Sequence, residues 1–325
     1  MKIDLNMNIL ITALGSMSAE AVITSLIKIP TVKLVGCNLY PSTWTPASRL
    51  VNSFYQVSSA KDEDNYIQDI LLICQNHQIN YVIPLTDPEV DVLAKNYSTF
   101  TQKGITICIS NPTSIKIARD KYKVYKTFLK NSHIVAIQST KLKVDTLNFI
   151  EFPAILKPRY GRSSEGIQYA QNYSDLKFWQ QRFKGCEYII QPFFNGTIVV
   201  VDVIRQSNGE KCIAIAREEL LRTSNGAGIT VRTLPQHICE SLAIEVAHSL
   251  KMVGCFNVEF IIVDEQVFLM DINPRFSAGI AFSNKSGYDM VLNHINCFIT
   301  GEIESDINNN RVEKIYTKGY VEYEL

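Results

Sequence analysis

Two acidic residues near the end of the chain carry the first chemical signal. In Asn257-Val258-Glu259-Phe260 and the later Asp271-Ile272-Asn273-Pro274-Arg275, extended strands would alternate their side chains between faces. Glu259 then shares a face with Ile261 and Val263, and Asp271 with Leu269 and Val267. A three-residue connection at 264–266 sets Glu259 directly across from Asp271, with Cβ atoms about 5 Å apart. Two carboxylates on one face of an apolar hairpin repel unless a cation lies between them. Hard oxygens, with Asn273 two residues on, suit Mg²⁺ bridging substrate phosphates. The other reading, that one acid faces solvent at the strand end, stands beside it on spacing alone.

Three further stretches could meet phosphate or a base. Lys157-Pro158 ends an apolar run and leads into a loop over 159–166 (RYGRSSEG), where Gly161, Ser163, Ser164 and Gly166 let backbone N–H groups approach an anion while Lys157 and Arg162 supply charge. The loop lacks G-x-x-x-x-G-K-[ST], and an ordinary turn is the plainer reading. Asp120-Lys121 opens a basic helix, of which Lys123, Lys126 and Lys130 read as a solvated face. In Gln191-Pro192-Phe193-Phe194-Asn195-Gly196 a strand breaks at proline, leaving backbone groups that could read the edge of a purine, or simply a bulge.

The elements that must hold these residues come in two styles. The first third alternates short apolar runs with helical patterns: strands over 8–13, 33–37, 81–84 and 105–109, helices over 18–29, 65–77 and 88–96. That order means a parallel sheet covered by helices. Asn111-Pro112 breaks the chain, and one helix is expected over 114–131. Beyond it, strands near 153–157, 167–170, 188–191, 198–204 and 212–216 and the hairpin at 256–271 surround helices over 174–183 and 236–251, so this part reads as α+β. The segment 222–232 reads as a glycine-containing loop.

Composition narrows the function classes. The 325 residues are 46% apolar, enough for a sizeable core, and 32 basic residues balance 32 acidic ones. Nucleic-acid binders carry a basic excess, so no nucleic-acid partner is expected. There is no apolar run of membrane-spanning length and no signal-peptide pattern at the start, which sets the expectations of no membrane association and a cytoplasmic protein. Eight cysteines lack C-x-x-C spacing and five histidines are scattered, so zinc is disfavoured and reduced, buried thiols are expected. The Gly15 turn after the first strand lacks G-x-G-x-x-G, and the second strand ends in Cys37-Asn38 without a ribose-binding acid, which disfavours NAD.

Taken in order, a helical lysine, Lys-Pro after a strand, a Gly/Ser loop, a strand-to-hinge segment and an acid with a later Asp-Ile-Asn-Pro-Arg resemble the ATP-grasp superfamily, in particular its carbamoyl-phosphate-synthase-like and biotin-carboxylase-like members. The resemblance implies a pre-ATP-grasp α/β domain over 1–112 and a two-lobed ATP-grasp domain over 113–325, with a small lobe at 113–187 and a large lobe at 188–325. It implies that Lys121, Lys157, Gly161, Ser163 and Ser164 contact ATP phosphates, that Gln191, Pro192, Phe193 and Phe194 form the hinge against adenine, that Glu259, Asp271 and Asn273 hold Mg²⁺ or Mn²⁺, and that Arg275 steadies a phosphorylated intermediate. Arg217, Arg232 and Arg275 are candidates for gripping the acceptor carboxylate, with Arg217 and Arg275 in catalytic roles; for Arg217 the plainer reading is a strand-end ion pair. The 222–232 segment is expected to close over the acceptor. Here Gly196 is followed by Thr197 and Ile198 where the family has Gly-x-Glu, and Asp271 stands where the family has Glu. The implied activity is an ATP- and Mg-dependent, amino-acid-ligase-like enzyme that activates a small carboxylate as an acyl phosphate for attack by an amine. A bicarbonate-activating enzyme and a non-catalytic ATP-binding protein are the alternatives, and a homodimer is compatible.

Overall fold

The computed structural model describes residues 7–142, 150–162, 164–305, 307 and 311–324. Ser163, one of the expected phosphate contacts, lies outside the described residues.

The alternating first third forms a five-stranded parallel sheet in the order β3-β2-β1-β4-β5. Its strands are β1 (Met7–Ile11), β2 (Val32–Asn38), β3 (Ser53–Gln56), β4 (Tyr81–Ile83) and β5 (Thr106–Ile107), and its helices α1 (Ala19–Leu26), α2 (Glu63–Asn76), α3 (Asp87–Lys95) and α4 (Tyr97–Thr101). Ile9, Leu10 and Ile11 of β1 are wholly buried, because helices cover both faces of the sheet. The polar strand β3 has no sequence signal. Flanked by β2 and β4, β1 is where the strand order reverses, and in open α/β sheets the crevice beyond such a point receives ligands.

The single helix expected over 114–131 is two, α5 (Pro112–Ala118) and α6 (Lys121–Phe128). Asp120 breaks it: its backbone is extended, and its carboxylate accepts the Lys123 N–H at the start of α6 and two guanidinium N–H bonds from Arg159 at 2.7 Å. Capping by a short acid outweighs helical continuity here, and it fixes Lys121 at the first position of α6.

The small sheet runs β7-β10-β8-β9, from β7 (Thr140–Lys141), β8 (Ala154–Pro158), β9 (Gln168–Ala170) and β10 (Tyr188–Pro192), with α7 (Tyr173–Arg182) packed on it. The large sheet runs β16-β13-β12-β11-β14-β15-β6. Its members are β6 (Val135–Ala136), β11 (Thr197–Arg205), β12 (Cys212–Arg222), β13 (Gly228–Thr233), β14 (Gly254–Val263), β15 (Gln266–Asn273) and β16 (Ile315–Thr317), covered by α8 (Ile238–Ser249), α9 (Ile280–Lys285) and α10 (Met290–Ile299). The 222–232 segment is a loop only over 223–227; its ends belong to strands. β12 runs through Arg222 and β13 returns alongside it, because the alternation around Ile229 and Val231 outweighs the glycines and Val231 is wholly buried.

One core cluster joins Ile9, Ile11, Ile23 and Leu26 of the first sheet layer to Ile204, Ile215, Phe276, Met290 and Ile295 around the large sheet. Six cysteines are buried; Cys212 is half-buried and Cys186 exposed, and all eight are free thiols. No helix among the described residues is long and apolar enough to cross a membrane.

Candidate active site

The β14–β15 hairpin turns through two residues, Asp264 and Glu265, both with positive φ, and not through the three expected. On its own that register would set Glu259 against Met270. One extra residue shifts it between Phe260↔Leu269 and Glu259↔Asp271, so the two acids do face each other across a bulge. Asn257 and Asn273 form the next pair on that face. The Asn273 amide donates to Asn257 Oδ1 at 3.1 Å and to Glu259 Oε1 at 3.0 Å, and the Asn257 amide donates to the Arg275 carbonyl at 3.1 Å.

These groups line one cavity of about 530 Å³ between the small and large sheets. From the small-sheet side Lys121 reaches in, its ammonium 2.8 Å from Asp271 Oδ2 and donating to the Gly161 carbonyl at 3.1 Å. Lys157, on β8, is buried with no ion-pair partner among the described residues; burial, with the Lys121 charge nearby, lowers it to about 8. Burial also raises Glu259, with Asp271 adding to the push and Arg222 opposing it. Arg222 donates to Glu259 Oε2 at 3.2 Å and to the Gly226 carbonyl at 2.9 Å.

Gln191, Pro192, Phe193 and Phe194 line the same cavity, as do Gly161 and Ser164. β10 ends at Pro192 and β11 starts at Thr197, so the hinge between them is outside the ladder. Gln191 donates to Ser139 Oγ at 2.8 Å, and Phe193 and Phe194 pack edge-on and tilted against Tyr169 and Phe268. At the far end the cavity reaches Gly15–Ser18 after β1 and Leu85–Asp87 after β4, the reversal point of the first sheet.

The three candidate arginines separate. Arg275 lines the cavity and donates twice to Asp87 Oδ2, at 2.8 and 3.0 Å. Arg217 also lines it but is almost fully engaged: Nη1 donates to Asp202 at 2.6 Å and Ser283 at 3.2 Å, Nη2 to Ser277 at 2.9 Å, and Nε to Glu219 at 3.2 Å. It lies mid-strand and wholly buried, so neither the strand-end pair nor a free substrate grip describes it. Arg232 points to the other face of the sheet, beside Glu218 and Glu313 at 3.7 and 3.6 Å, and is not part of the cavity lining; on β13 it is separated from Glu259 on β14 by two intervening strands and faces the other way.

Sequence reading passed over Asp87, Glu219, Arg222 and Asn257. Arg217 and Glu219, two apart on a strand, had to share a face, and that alternation was the available signal. Asp87 had none, since its partner Arg275 is 188 residues away. Burial raises the Asp87 carboxyl, but Arg275 and Arg119 outweigh it and hold the group below the usual carboxylate range.

The family model for the ATP-grasp domain matches residues 118–279, and that for the PylC-like N-terminal domain matches residues 9–108. The chain belongs to the ATP-grasp superfamily. A formate-dependent phosphoribosylglycinamide formyltransferase from Prochlorococcus marinus is 27% identical over 212 residues, covering 58% of this ATP-grasp chain and 52% of that protein. The chain thus spans about half the length of that relative. Among solved structures, the biotin carboxylase domain of Hydrogenobacter thermophilus 2-oxoglutarate carboxylase, in complex with MgADP, ADP and bicarbonate, aligns with a TM-score of 0.78 at 15% identity over 95% of this chain and 73% of its own. An L-amino acid ligase from Bacillus licheniformis aligns with a TM-score of 0.71 at 12% identity, over 92% and 78%. At these identities the structural likeness is one of fold.

The donor set is that of a hard cation. Glu259, Asp271 and the Asn273 amide oxygen offer oxygen ligands on one face, and a divalent ion would relieve the burial that disfavours the Glu259 charge. Among the described residues no three His, Cys, Asp or Glu side chains converge on one point, so such an ion would complete its shell with phosphate oxygens.

Proposed function

We propose that this ATP-grasp protein is an ATP- and Mg²⁺-dependent carboxylate–amine ligase, with an α/β unit over 1–112 and the ATP-grasp unit over 113–325. The observation that carries the reading is the placement of Glu259 and Asp271 opposite Lys121 and Lys157 in one cavity that also reaches the reversal point of the first sheet. The names of the formyltransferase, which points to formate, and of the L-amino acid ligase, which points to amino acids, support it.

In this reading the Gln191–Phe194 hinge takes the adenine, with Phe193 and Phe194 as apolar walls. Lys121, Lys157 and the backbone around Gly161 and Ser164 take the phosphates. Mg²⁺ or Mn²⁺, held by Glu259, Asp271 and Asn273, supplies charge neutralisation for the transferring γ-phosphoryl group. Lys121 has to exchange Asp271 for a phosphate oxygen as the nucleotide enters, and Arg222 correspondingly releases Glu259. Arg275, held by Asp87 at the first-sheet end, faces the acceptor carboxylate and steadies the acyl phosphate. Catalysis is then positioning and electrostatics. We include a cytoplasmic location and a homodimer in the proposal, the latter supported by the dimer named for the carboxylase domain.

The test is ADP and phosphate release from ATP·Mg²⁺ with each proteinogenic amino acid as carboxylate and amine. Release that requires both substrates is the expected result. Release with bicarbonate alone would favour a bicarbonate-activating enzyme, and ATP binding without any turnover a non-catalytic protein.

A further inference from the structure

Three of the five acids that line the cavity each have a cation of their own. Asp271 has Lys121, Glu259 has Arg222, and Asp87 has Arg275. Arg217 has two acids to answer, Asp202 at 2.6 Å and Glu219 at 3.2 Å. The shorter contact belongs to Asp202, which also accepts from Ser277 and Ser283. Glu219 is left with one oxygen on Arg217 Nε; among the described residues its Oε2 is buried without a hydrogen-bond partner, as are Asp202 Oδ1 and Asp87 Oδ1, the last 3.5 Å from Arg119. The side chain is 2% exposed and lines the cavity.

An anionic oxygen sealed from water with no donor is costly, by more than a neutral group would be. Its environment is built to hold it there. Arg217 fixes the carboxylate from one side. On the other, Gly228 at the start of β13 provides the space, since any Cβ at that position would overlap the Glu219 carboxylate. Lys318, a second cation that feels Glu219, donates to the Ala278 carbonyl at 2.6 Å. A third metal ligand is not the explanation, because no three acids converge among the described residues.

We propose that Glu219 is the docking point for the cationic nitrogen of the amine co-substrate, with Arg217 as the positioning residue that aims it. The co-substrate is accordingly a primary amine that is protonated near neutral pH, an amino acid or alkylammonium compound, and not ammonia delivered as a neutral molecule or an amide nitrogen. The N–H donors of that group supply Oε2 with the partner it lacks. This inference rests on the ligase reading.

The experiment compares wild type with Glu219→Gln and Glu219→Asp, using the proteinogenic amino acids as carboxylate and ammonium donors and hydroxylamine, uncharged near neutrality, as the competing nucleophile. The readout is the ratio of kcat/KM for ammonium amines to that for hydroxylamine, followed as amide and hydroxamate, with melting temperature as the check on folding. Glu219→Gln should lower this ratio roughly 10- to 100-fold, chiefly through KM, the span of one charge-assisted hydrogen bond. Glu219→Asp, which keeps the charge, should recover part of it. A ratio unchanged in both folded variants overturns the assignment and leaves the ligase reading standing. A wild type inert with every acid and nucleophile overturns the ligase reading itself, and this inference with it.

Discussion

Glu259 faces Asp271 because Met270 is carried as an extra residue in β15, not because of the length of the turn that joins their strands. A two-residue turn is the tighter solution for a right-twisted hairpin, and the bulge then resets the register next to the acids. The pairing is thereby decoupled from the turn. Bulges beside functional groups commonly re-aim side chains in this way.

The carboxylate pair is the first place to test the mechanism. Glu259→Gln with Asp271→Asn keeps side-chain size and removes the mutual repulsion, so folding should survive with unchanged or higher stability. Nucleotide turnover should fall by at least about a hundredfold, a barrier rise near 2.7 kcal/mol. Turnover of the double variant close to wild type would remove the metal assignment.

Lys157 predicts a pH dependence. The folded value is about 8, against roughly 10.4 in the unfolded chain. Between these the folded chain holds fewer protons, so its stability climbs as pH rises from about 8 to roughly 10.4, and the full penalty, on the order of 3 kcal/mol, is present below about 8. Lys157→Met should therefore be more stable than wild type near neutrality, with a gap that closes in alkali, while ATP no longer raises its melting temperature. For wild type, nucleotide at 100 times Kd should add roughly 2.7 kcal/mol. Chemical denaturation across pH, with and without ATP·Mg²⁺, measures both effects.

Asp87 is buried beneath two guanidinium groups, 2.8 Å from Arg275 and 3.5 Å from Arg119. Asp87→Ala leaves both cations with too little opposing charge. A loss of about 3–5 kcal/mol is expected from breaking a buried pair in this way. Asp87→Asn should lose less stability but still misplace Arg275, so that the KM for the carboxylate substrate rises more than the KM for ATP. Urea melts and substrate titrations separate the two consequences.

Asp264 and Glu265 both sit at positive φ, 46° and 65°, where side chains other than Asn, Asp or Gly are strained. Glu265→Gly should stabilise the protein by up to about 1 kcal/mol, with no change in turnover. A destabilised variant would mean the turn is held by something other than its backbone geometry.

Sequence alone revealed the residues whose neighbours are near in the chain. The Lys157 strand end and the break at Pro192 follow from periodicity and proline chemistry, and the alternating first third dictates a parallel sheet; the hairpin acids do face each other, but through a bulge at Met270 that puts Leu269 on the opposite face and that periodicity does not show. What escaped notice depends on distance or on competition between local rules. Asp120 could cap or continue a helix, and only the Arg159 contact from another element decides. Gly226 does lie in a loop, but Gly228 joins β13, which only its pairing with β12 decides. Arg217 cannot be judged without Asp202 and Ser283 beside it, contributed by β11 and α9.

The shared core has a consequence for how such a protein can be taken apart. Two stretches that match separate family models meet here, 9–108 and 118–279, yet Ile23 and Leu26 of one lie in the same oil drop as Ile215 and Phe276 of the other. Cutting the chain between them would not release two independent proteins. It would expose matching greasy faces, each prone to clump, and evolution could exchange either module only together with its half of the seam.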